Sequence, residues 1–139
     1  ANLLAKLACD EEKKIVQTLN GPKAIGPYSL GVIAGSFLFA SGQLGLSPET
    51  GVLVDGGVEA ETKQALLNLK SILESGGTDL ENVVKTTVFL RDINDFAKMN
   101  LVYAEFFKEN PPARSAKQVA ALPKNAAVEI EAIAFVKKD

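Results

Sequence analysis

Two helical segments separated by a strand constrain the fold of this chain more than any other feature of the sequence. Between Val58 and Ser75 the apolar residues recur at the spacing of one helical face, and Gly76-Gly77 is expected to end that helix. Val83 to Leu90 is rich in β-branched residues, which favours a buried strand. A second helix is predicted after it, capped by Asn94 and ended by Pro111-Pro112. The stripe of this helix, interpreted as core packing, consists of Phe96, Met99, Tyr103, Phe106 and Phe107.

Short extended segments on either side of this region supply the other predicted strands. Ile15 to Leu19 is interpreted as an edge strand. Ser29 to Ala34 and Phe37 to Ser41 form a predicted hairpin, in which Gly35-Ser36 makes the turn because glycine accepts positive φ. Two more strands are predicted, at 114–119 and at 128–136.

The resulting order, β-β-β-α-β-α-β-β, predicts an α+β fold with one mixed sheet of six strands. Both strand-helix-strand crossovers are expected to be right-handed, which places the two helices on the same face of the sheet. The opposite face is then uncovered, and an apolar uncovered face is expected to bind another subunit in a closed assembly. The 139 residues, 47% of them hydrophobic, suit a single domain, predicted at 15–139 after an N-terminal extension at 1–14.

The final strand carries two glutamates on one side. Alternation along Val128 to Val136 puts Glu129 and Glu131 on the same face, about 7 Å apart at Cα for a rise of about 3.3 Å per residue. Ile133 and Phe135 continue that face, so one end of it is apolar. A glutamate in an apolar environment has a raised affinity for protons and can handle a water molecule or a proton near neutral pH.

Arg114 is the second candidate group, and its position after two prolines is informative. Pro111 and Pro112 stiffen the backbone before it, so the guanidinium can be held at a fixed angle to a planar carboxylate. Together with the two glutamates, Arg114 predicts a site for a small acid. The alternative is that Arg114 is a surface charge and that both glutamates are solvated strand positions.

Composition excludes several classes of chemistry. The chain has no histidine, so it cannot build a Ser-His-Asp triad, a Cys-His dyad or a histidine-rich zinc site, and no metal site is predicted. The net charge of −2 gives no general attraction to nucleic acid, which is not an expected partner. No apolar run approaches the ~20 residues of a membrane span. The single cysteine, Cys9, fits a reducing compartment.

Separated motifs along the chain resemble those of one protein family. They are, in chain order, AIGPYS at 24–29, ASGQLG at 40–45, VVKTTVFLRDINDF at 83–96, PARS at 112–115 and QVAALPKNAAVEIEAIA at 118–134. The same order of motifs resembles the Rid family, also called the YjgF/YER057c/UK114 family, from about residue 15 to residue 135. The resemblance implies chorismate-mutase-like subunits in a homotrimer, with sites in the clefts between neighbouring subunits.

The resemblance also implies an activity. Better characterised members are 2-iminobutanoate/2-iminopropanoate deaminases, which hydrolyse reactive acids such as 2-aminoacrylate, 2-iminopropanoate and 2-iminobutanoate to 2-keto acids and ammonia. No cofactor is expected, because the substrate arrives already activated. Two other functions stay open: translation inhibition through endoribonuclease activity, and a chaperone-like or small-carboxylate-binding module without turnover. The expected compartment is the cytoplasm, with the mitochondrion as the alternative.

By resemblance, three residues are expected to be catalytic. Arg114 matches the carboxylate-binding arginine of the family, which holds the substrate acid through two hydrogen bonds. Glu129 matches the glutamate that orients or activates the attacking water, although alternation alone does not separate it from Glu131. Tyr28 matches a tyrosine of the pocket wall whose phenol can form a hydrogen bond, and the alternative is a half-buried packing residue.

Four further residues are expected to contact substrate. Gly42 matches a position whose backbone amide meets the substrate carboxylate, and Ser41 is its neighbour; a bulge or a strand end would also explain this glycine. Asn100 matches an asparagine that the family places near the site, with capping-type polarity or solvent exposure as the alternative. Ala116 departs from the family pattern, since many members have cysteine there, but the family uses that position mainly through its backbone carbonyl.

Overall fold

The structure is a computed structural model that describes residues 12–137. Within these residues, six strands and two α-helices follow one another in the predicted order, which confirms the predicted α+β fold. The predicted N-terminal extension at 1–14 lies mostly outside the described residues. The elements are β1 (Lys14–Val16), β2 (Gly31–Ala34), β3 (Phe37–Leu44), α1 (Gly57–Ser75), β4 (Val83–Leu90), α2 (Phe96–Phe106), β5 (Ala113–Gln118) and β6 (Val128–Phe135).

The last strand of the chain lies in the middle of the sheet. The strand order is β1-β2-β3-β6-β4-β5, and β6 pairs antiparallel with both β3 and β4. The pairing of β4 with β5 is parallel, which makes the sheet mixed, as predicted. Side chains of β6 therefore have strand neighbours on both sides, and those on the face away from the helices are surrounded by residues of β3 and β4.

Both helices pack on the same face of the sheet, as predicted. The first helix contacts β3, β6 and α2, and buried residues of both helices share one hydrophobic core with the strands. Gly77, with a φ of 85°, follows α1 in the left-handed region that glycine tolerates. Gly35, with a φ of 61°, makes the predicted turn between β2 and β3. No helix in the described part of the chain is long and apolar enough to cross a bilayer.

The start of α2 differs from the prediction, because Asn94 is not its N-cap. Oδ1 of Asp92 accepts a 2.9 Å hydrogen bond from the backbone N–H of Asn94, which lies in a 3-10 turn before the helix. The aspartate satisfies a backbone donor, so the asparagine side chain is not needed for that purpose. The helix ends at Phe106, before the prolines that were expected to stop it. Three members of the predicted stripe are buried: Met99, Tyr103 and Phe107.

Two buried polar side chains of α1 form hydrogen bonds with the backbone at the end of β3 and just before β6. The amide nitrogen of Asn68 donates hydrogen bonds of 3.1 and 3.0 Å to the carbonyl oxygens of Leu44 and Leu46. The carboxylate of Glu61 accepts a 2.8 Å hydrogen bond from the backbone N–H of Ala127. Buried backbone groups need such partners, so these two side chains fix both segments against the helix.

The face of the sheet opposite the helices is uncovered, and part of it is apolar. Phe37, Phe39 and Phe135 are 41%, 44% and 40% exposed. The rings of Phe37 and Phe135 meet edge to face, with their centres 6.2 Å apart. Neighbouring exposed aromatic side chains of this kind are typical of a surface that is covered by a partner.

Replacing Asn68 by alanine should destabilise the fold. The variant leaves the buried carbonyl oxygens of Leu44 and Leu46 without their donor, and each orphaned group costs about 1–3 kcal/mol. We expect the free energy of unfolding, measured by urea denaturation, to fall by about 2–4 kcal/mol. Gln64→Ala is the matched control, because the Gln64 amide donates to the Asn68 side chain and its loss leaves the two carbonyls paired. Equal losses of unfolding free energy in the two variants would show that the hydrogen bonds from Asn68 to Leu44 and Leu46 do not stabilise the fold.

Candidate active site

A cleft of about 480 Å³ opens on the uncovered face of the sheet, beside the end of β3. Four residues expected from the sequence line it: Tyr28 from the loop before β2, Ser41 and Gly42 from β3, and Glu129 from β6. Glu131 lies at the same cleft. Its size is in the range of pockets that bind small organic ligands. The remaining lining residues are Pro22, Lys23, Ile25, Leu44, Leu46 and Pro123.

A β-bulge in β3 forms one wall of this cleft. Ala40 pairs with Ala132 and Gln43 pairs with Ile130, so β3 has one residue more than β6 over this stretch. The extra residue falls within Ser41-Gly42. The predicted strand ended at 41, whereas β3 continues through the bulge to residue 44.

Ser41 connects the bulge to the chain that leads into β2. Its hydroxyl donates a 2.6 Å hydrogen bond to the carbonyl oxygen of Ser29, and its backbone N–H donates a 2.9 Å bond to that of Leu30. Ser29 directly follows Tyr28 in the chain. Ser41 therefore ties the tyrosine-bearing loop to β3, which is a structural role in addition to its place in the cleft.

Gly42 lets the carboxylate of Glu129 lie against the main chain of β3. A Cβ atom built on Gly42 would be 2.7 Å from Oε2 of Glu129 and 2.9 Å from its Cδ. The bulge interpretation of this glycine is confirmed, and the group that approaches it closely is the Glu129 side chain. The contact of its backbone amide with a substrate carboxylate stays a prediction. Any larger residue at this position would displace the carboxylate.

Glu129 is the member of the glutamate pair with the more desolvated environment. Its cross-strand neighbours are Leu44 on β3 and Phe89 on β4. Burial raises the pKa of Glu129 above its ordinary range, and the negative charge of Glu131 raises this pKa further. Glu129 therefore keeps its proton to a higher pH than an ordinary glutamate does.

The predicted rise in proton affinity has a different source from the one expected. The sequence pointed to Ile133 and Phe135, which lie further along β6, whereas the register places other apolar residues directly beside Glu129. Glu131 itself is exposed.

Within residues 12–137 no group of three or more histidine, cysteine, aspartate or glutamate side chains is arranged to hold a metal ion.

Tyr28 forms part of the mouth of the cleft. Its side chain is 45% exposed, and its hydroxyl oxygen accepts a 3.3 Å hydrogen bond from the backbone N–H of Ile25. A phenol that accepts this bond still has its own proton to donate to a ligand. Tyr28 thus lies in the wall of the cleft with its hydroxyl proton free to donate. This position fits a residue of the pocket wall better than a half-buried packing residue.

Arg114 lies on the other side of the sheet and faces α2. Its Nη1 donates a 2.8 Å hydrogen bond to Oδ1 of Asn100. Its Cζ lies 4.7 Å from the centre of the Tyr103 ring and 5.4 Å from the centre of the Phe96 ring. The guanidinium is therefore held by a polar contact and by two aromatic rings, unlike a freely solvated surface charge.

Asn100 and Ala116 belong to the same side as Arg114. Asn100 is partly buried on α2 and accepts the hydrogen bond from Arg114, which argues against solvent exposure as its only role. Ala116 follows Arg114 by two residues on β5 and therefore shares its face. It lies opposite Val88 of β4 and packs against the hydrophobic core.

Arg114 and Glu129 do not meet within one chain, because β4 separates their strands. Arg114 lies opposite Thr86, whose hydroxyl contacts Tyr103 on the helix side, whereas Glu129 lies opposite Phe89. Thr86 and Phe89 are three residues apart and point to opposite faces of the sheet. The predicted residues thus form two groups: Tyr28, Ser41, Gly42 and Glu129 on the uncovered face, and Arg114, Asn100 and Ala116 toward α2.

The ring contacts of Arg114 were not expected from the sequence. Phe96 and Tyr103 were interpreted as core residues, yet both rings also contact the guanidinium. Their spacing contains a signal: Phe96, Asn100 and Tyr103 stand at i, i+4 and i+7, which places them on one helical face. A polar residue between two aromatic residues on such a face indicates that the face meets a polar or charged group.

Replacing Glu129 by glutamine should stabilise the protein increasingly as the pH rises. The folded protein holds the Glu129 proton more tightly than the unfolded chain does, because burial raises this pKa. Ionisation therefore lowers the stability of the parent protein above about pH 4.3, the ordinary glutamate pKa, and the glutamine variant avoids this loss. Melting temperatures measured from about pH 4 to about pH 8 should agree at the acidic end and then separate in favour of the variant.

Glu81→Gln serves as the control for this experiment, because it makes the same chemical change at an exposed glutamate. Its melting curve should follow that of the parent protein over the whole pH range. A constant difference between Glu129→Gln and the parent protein, independent of pH, would contradict the raised pKa.

Comparison with known proteins adds a family and an activity found among relatives. Residues 18–136 match the family model described as Endoribonuclease L-PSP. The human 2-iminobutanoate/2-iminopropanoate deaminase is 52% identical over 123 residues, which cover 88% of this chain and 90% of that protein. A RutC family protein of Pyrococcus horikoshii is 53% identical, with 88% of this chain and 98% of that protein covered.

Solved structures give the same result. A crystal structure of E. coli TdcF with bound serine has a TM-score of 0.85 and 43% identity, and covers 89% of this chain and 99% of that chain. RidA from the Antarctic bacterium Psychrobacter has a TM-score of 0.85 and 45% identity, and covers 88% of this chain and 99% of that chain. The family match spans most of the chain, and the relatives agree with it along nearly their full length. The chain therefore belongs to the Endoribonuclease L-PSP family, which is the Rid or YjgF family indicated by its motifs.

Proposed function

We propose that this protein is a 2-iminobutanoate/2-iminopropanoate deaminase, formed by the single domain at 15–139. The observation that carries the proposal is the environment of Glu129: a half-buried carboxyl with a raised pKa, placed against Gly42 in a small cleft that Tyr28 also lines. A carboxyl with a raised pKa accepts a proton more readily than an ordinary glutamate and can return it. Mammalian relatives that share 52% to 55% identity with this chain bear the name of this activity, which supports the proposal.

Arg114 is proposed to bind the carboxylate of the substrate. A guanidinium offers five N–H donors in a planar fork, and Asn100 accepts from one of them at Nη1. The other edge of the fork remains suited to two parallel hydrogen bonds with a carboxylate. The backbone N–H of Gly42 is proposed as a further contact for the substrate acid. This grip fixes the imine carbon relative to the groups of the cleft.

Glu129 is proposed to act as the general base and then as the general acid. It takes a proton from water while the water oxygen bonds to the imine carbon, and the C=N bond becomes a C–N single bond. It then returns this proton to nitrogen, which gives a carbinolamine. In the second step Glu129 takes the hydroxyl proton of the carbinolamine and transfers it to the amino nitrogen, so the C–N bond breaks and ammonia leaves as the carbonyl of the 2-keto acid forms. Tyr28 can donate a hydrogen bond within the same cleft. Since an imine is already electrophilic, the steps need no cofactor.

The complete site is proposed to lie between subunits of a homotrimer. Arg114 and Glu129 point to opposite faces of one sheet, so a single chain does not present both to one small acid. The exposed Phe37, Phe39 and Phe135 belong to an uncovered face that is suited to contact a neighbour. In a closed ring, the outermost strand β5 of one subunit would carry Arg114 to the cleft of the next.

The other candidate functions have less support. The family description names an endoribonuclease, but the chain contains no histidine and has a net charge of −2. A module that only binds carboxylates would use Arg114 and leave the perturbed Glu129 without a role. For the compartment we propose the cytoplasm, where a single cysteine stays reduced, with the mitochondrion as the alternative.

Replacing Arg114 by alanine should abolish the acceleration of keto-acid release. The assay follows 2-oxobutanoate formed from 2-iminobutanoate, which a threonine-dehydrating enzyme generates in place, and subtracts the spontaneous rate. Arg114→Lys is the matched control: it keeps the charge but loses the planar fork, so KM should rise roughly 10- to 100-fold. Glu129→Gln should lower kcat by about 10²- to 10⁴-fold. Unchanged turnover by folded Arg114→Ala would contradict the proposal.

Mixing two inactive variants should restore activity if the site lies between subunits. Arg114→Ala and Glu129→Gln are co-expressed with different tags, and mixed oligomers are isolated by two successive affinity steps. In a ring of three subunits, every mixed oligomer has an intact arginine facing an intact glutamate in one of its three sites, so about a third of the parent activity should return. The double variant, in which every site is defective, is the control. Mixed oligomers as inactive as the double variant would place both groups in one chain and contradict the shared site.

A further inference from the structure

The ring of Tyr103 lies against the guanidinium of Arg114. The distance from Cζ to the ring centre is 4.7 Å, shorter than the 5.4 Å to the ring of Phe96. Tyr103 is 6% exposed, and its ring also packs against that of Phe107, with the centres 4.7 Å apart. Resting on the proposed function, we infer that Tyr103 is a positioning residue for the deaminase site: it sets the orientation in which Arg114 meets the substrate carboxylate.

The hydroxyl of Tyr103 links the ring to the strand beside Arg114. It shares a 2.7 Å hydrogen bond with the hydroxyl of Thr86, which is fully buried. Thr86 is also the residue of β4 that lies directly opposite Arg114 of β5. Three contacts therefore connect these residues. Thr86 and Arg114 are paired on neighbouring strands, the Thr86 hydroxyl is hydrogen-bonded to the Tyr103 phenol, and the Tyr103 ring packs against the Arg114 guanidinium. A ring fixed in this way restricts the plane of the arginine fork.

The groups that hold Arg114 leave its charge available. An amide oxygen and two aromatic rings contact the guanidinium, and within residues 12–137 it has no carboxylate partner. Burial raises the pKa of Tyr103, while the hydrogen bond with Thr86 and the charge of Arg114 act against that rise, so the phenol stays neutral at physiological pH. A carboxylate at this place would orient Arg114 equally well but would compete with the substrate acid.

The position of the ring predicts which kinetic constant responds to its loss. The orientation of the Arg114 guanidinium affects how tightly the substrate carboxylate binds. The proposed proton transfers are carried out by Glu129 and do not depend on this orientation. A cation over an aromatic ring is stabilised by an amount that corresponds to roughly a 3- to 30-fold change in affinity. We therefore expect Tyr103→Leu to raise KM about 10-fold with kcat changed less than about 3-fold. Tyr103→Phe keeps the ring but loses the hydroxyl that fixes it to Thr86, so its KM should rise by a smaller factor than that of Tyr103→Leu.

The test uses the full-length protein and two readouts. The first is the KM and kcat for 2-iminobutanoate generated in place, and the second is the Kd for added 2-oxobutanoate, measured by titration calorimetry without turnover. Ile72→Ala is the control for lost stability: Ile72 is 1% exposed on α1 and borders Gly31 of β2, four strands away from β5. The melting temperatures of all variants are measured, so that Tyr103→Leu is compared with a control that has lost a similar amount of stability.

The expected result is a rise in both KM and Kd that is largest for Tyr103→Leu and smaller for Tyr103→Phe, with Ile72→Ala close to the parent protein. If the parent protein turns over substrate and Tyr103→Leu matches Ile72→Ala in both readouts, the inference is overturned while the proposed function stands. If the parent protein binds 2-oxobutanoate without turnover, the proposed function fails, and a weaker Kd in Tyr103→Leu alone still supports the role of the ring. A parent protein that neither binds nor turns over contradicts both.

Discussion

The candidate site depends on one extra residue in β3. The bulge at Ser41-Gly42 shifts the register against β6, so that Leu44 pairs with Glu129 and shares its face of the sheet. Without this residue, the alternation of β3 would turn Leu44 toward the helices, and Glu129 would lose one of the apolar neighbours that desolvate it. The same bulge brings Gly42 against the carboxylate. A local irregularity of the backbone thus supplies both the shape of the cleft and the proton affinity of its central group.

Much of the fold follows from periodicities that the sequence displays openly. The alternation along Val128–Phe135 and the helical spacing between residues 57 and 75 report which side of each element is buried, because burial acts on side chains at those repeats. The order of elements then leaves few topologies, since crossovers are right-handed. For the site, the sequence indicated Arg114 and the pair of Glu129 and Glu131, and the resemblance selected Glu129 and added Tyr28, Gly42 and Asn100. The structure divides these residues between two groups.

The remaining features depend on register, which a single sequence does not display. Ser41-Gly42 has the composition of a strand end as much as of a bulge. The face of Arg114 is set by the alignment of β5 with β4, and this alignment results from packing between distant segments, with β6 inserted between β3 and β4. Asp92 and Asn94 are both good capping residues, and local preference does not choose between them. The division of the candidate groups between two faces is likewise visible only once the strands are aligned.

The second helix serves two surfaces at once. Met99 and, directly after the helix, Phe107 pack in the core, while the face formed by Phe96, Asn100 and Tyr103 contacts the guanidinium of Arg114 on the edge strand β5. Successive residues of an α-helix are rotated by about 100°, so adding or deleting one residue inside α2 would turn one part of the helix relative to the other and separate the two faces. The spacing of residues within this helix is therefore under a double constraint. A shift that an exposed helix would tolerate would here change the contacts of Arg114 along with the packing of the core.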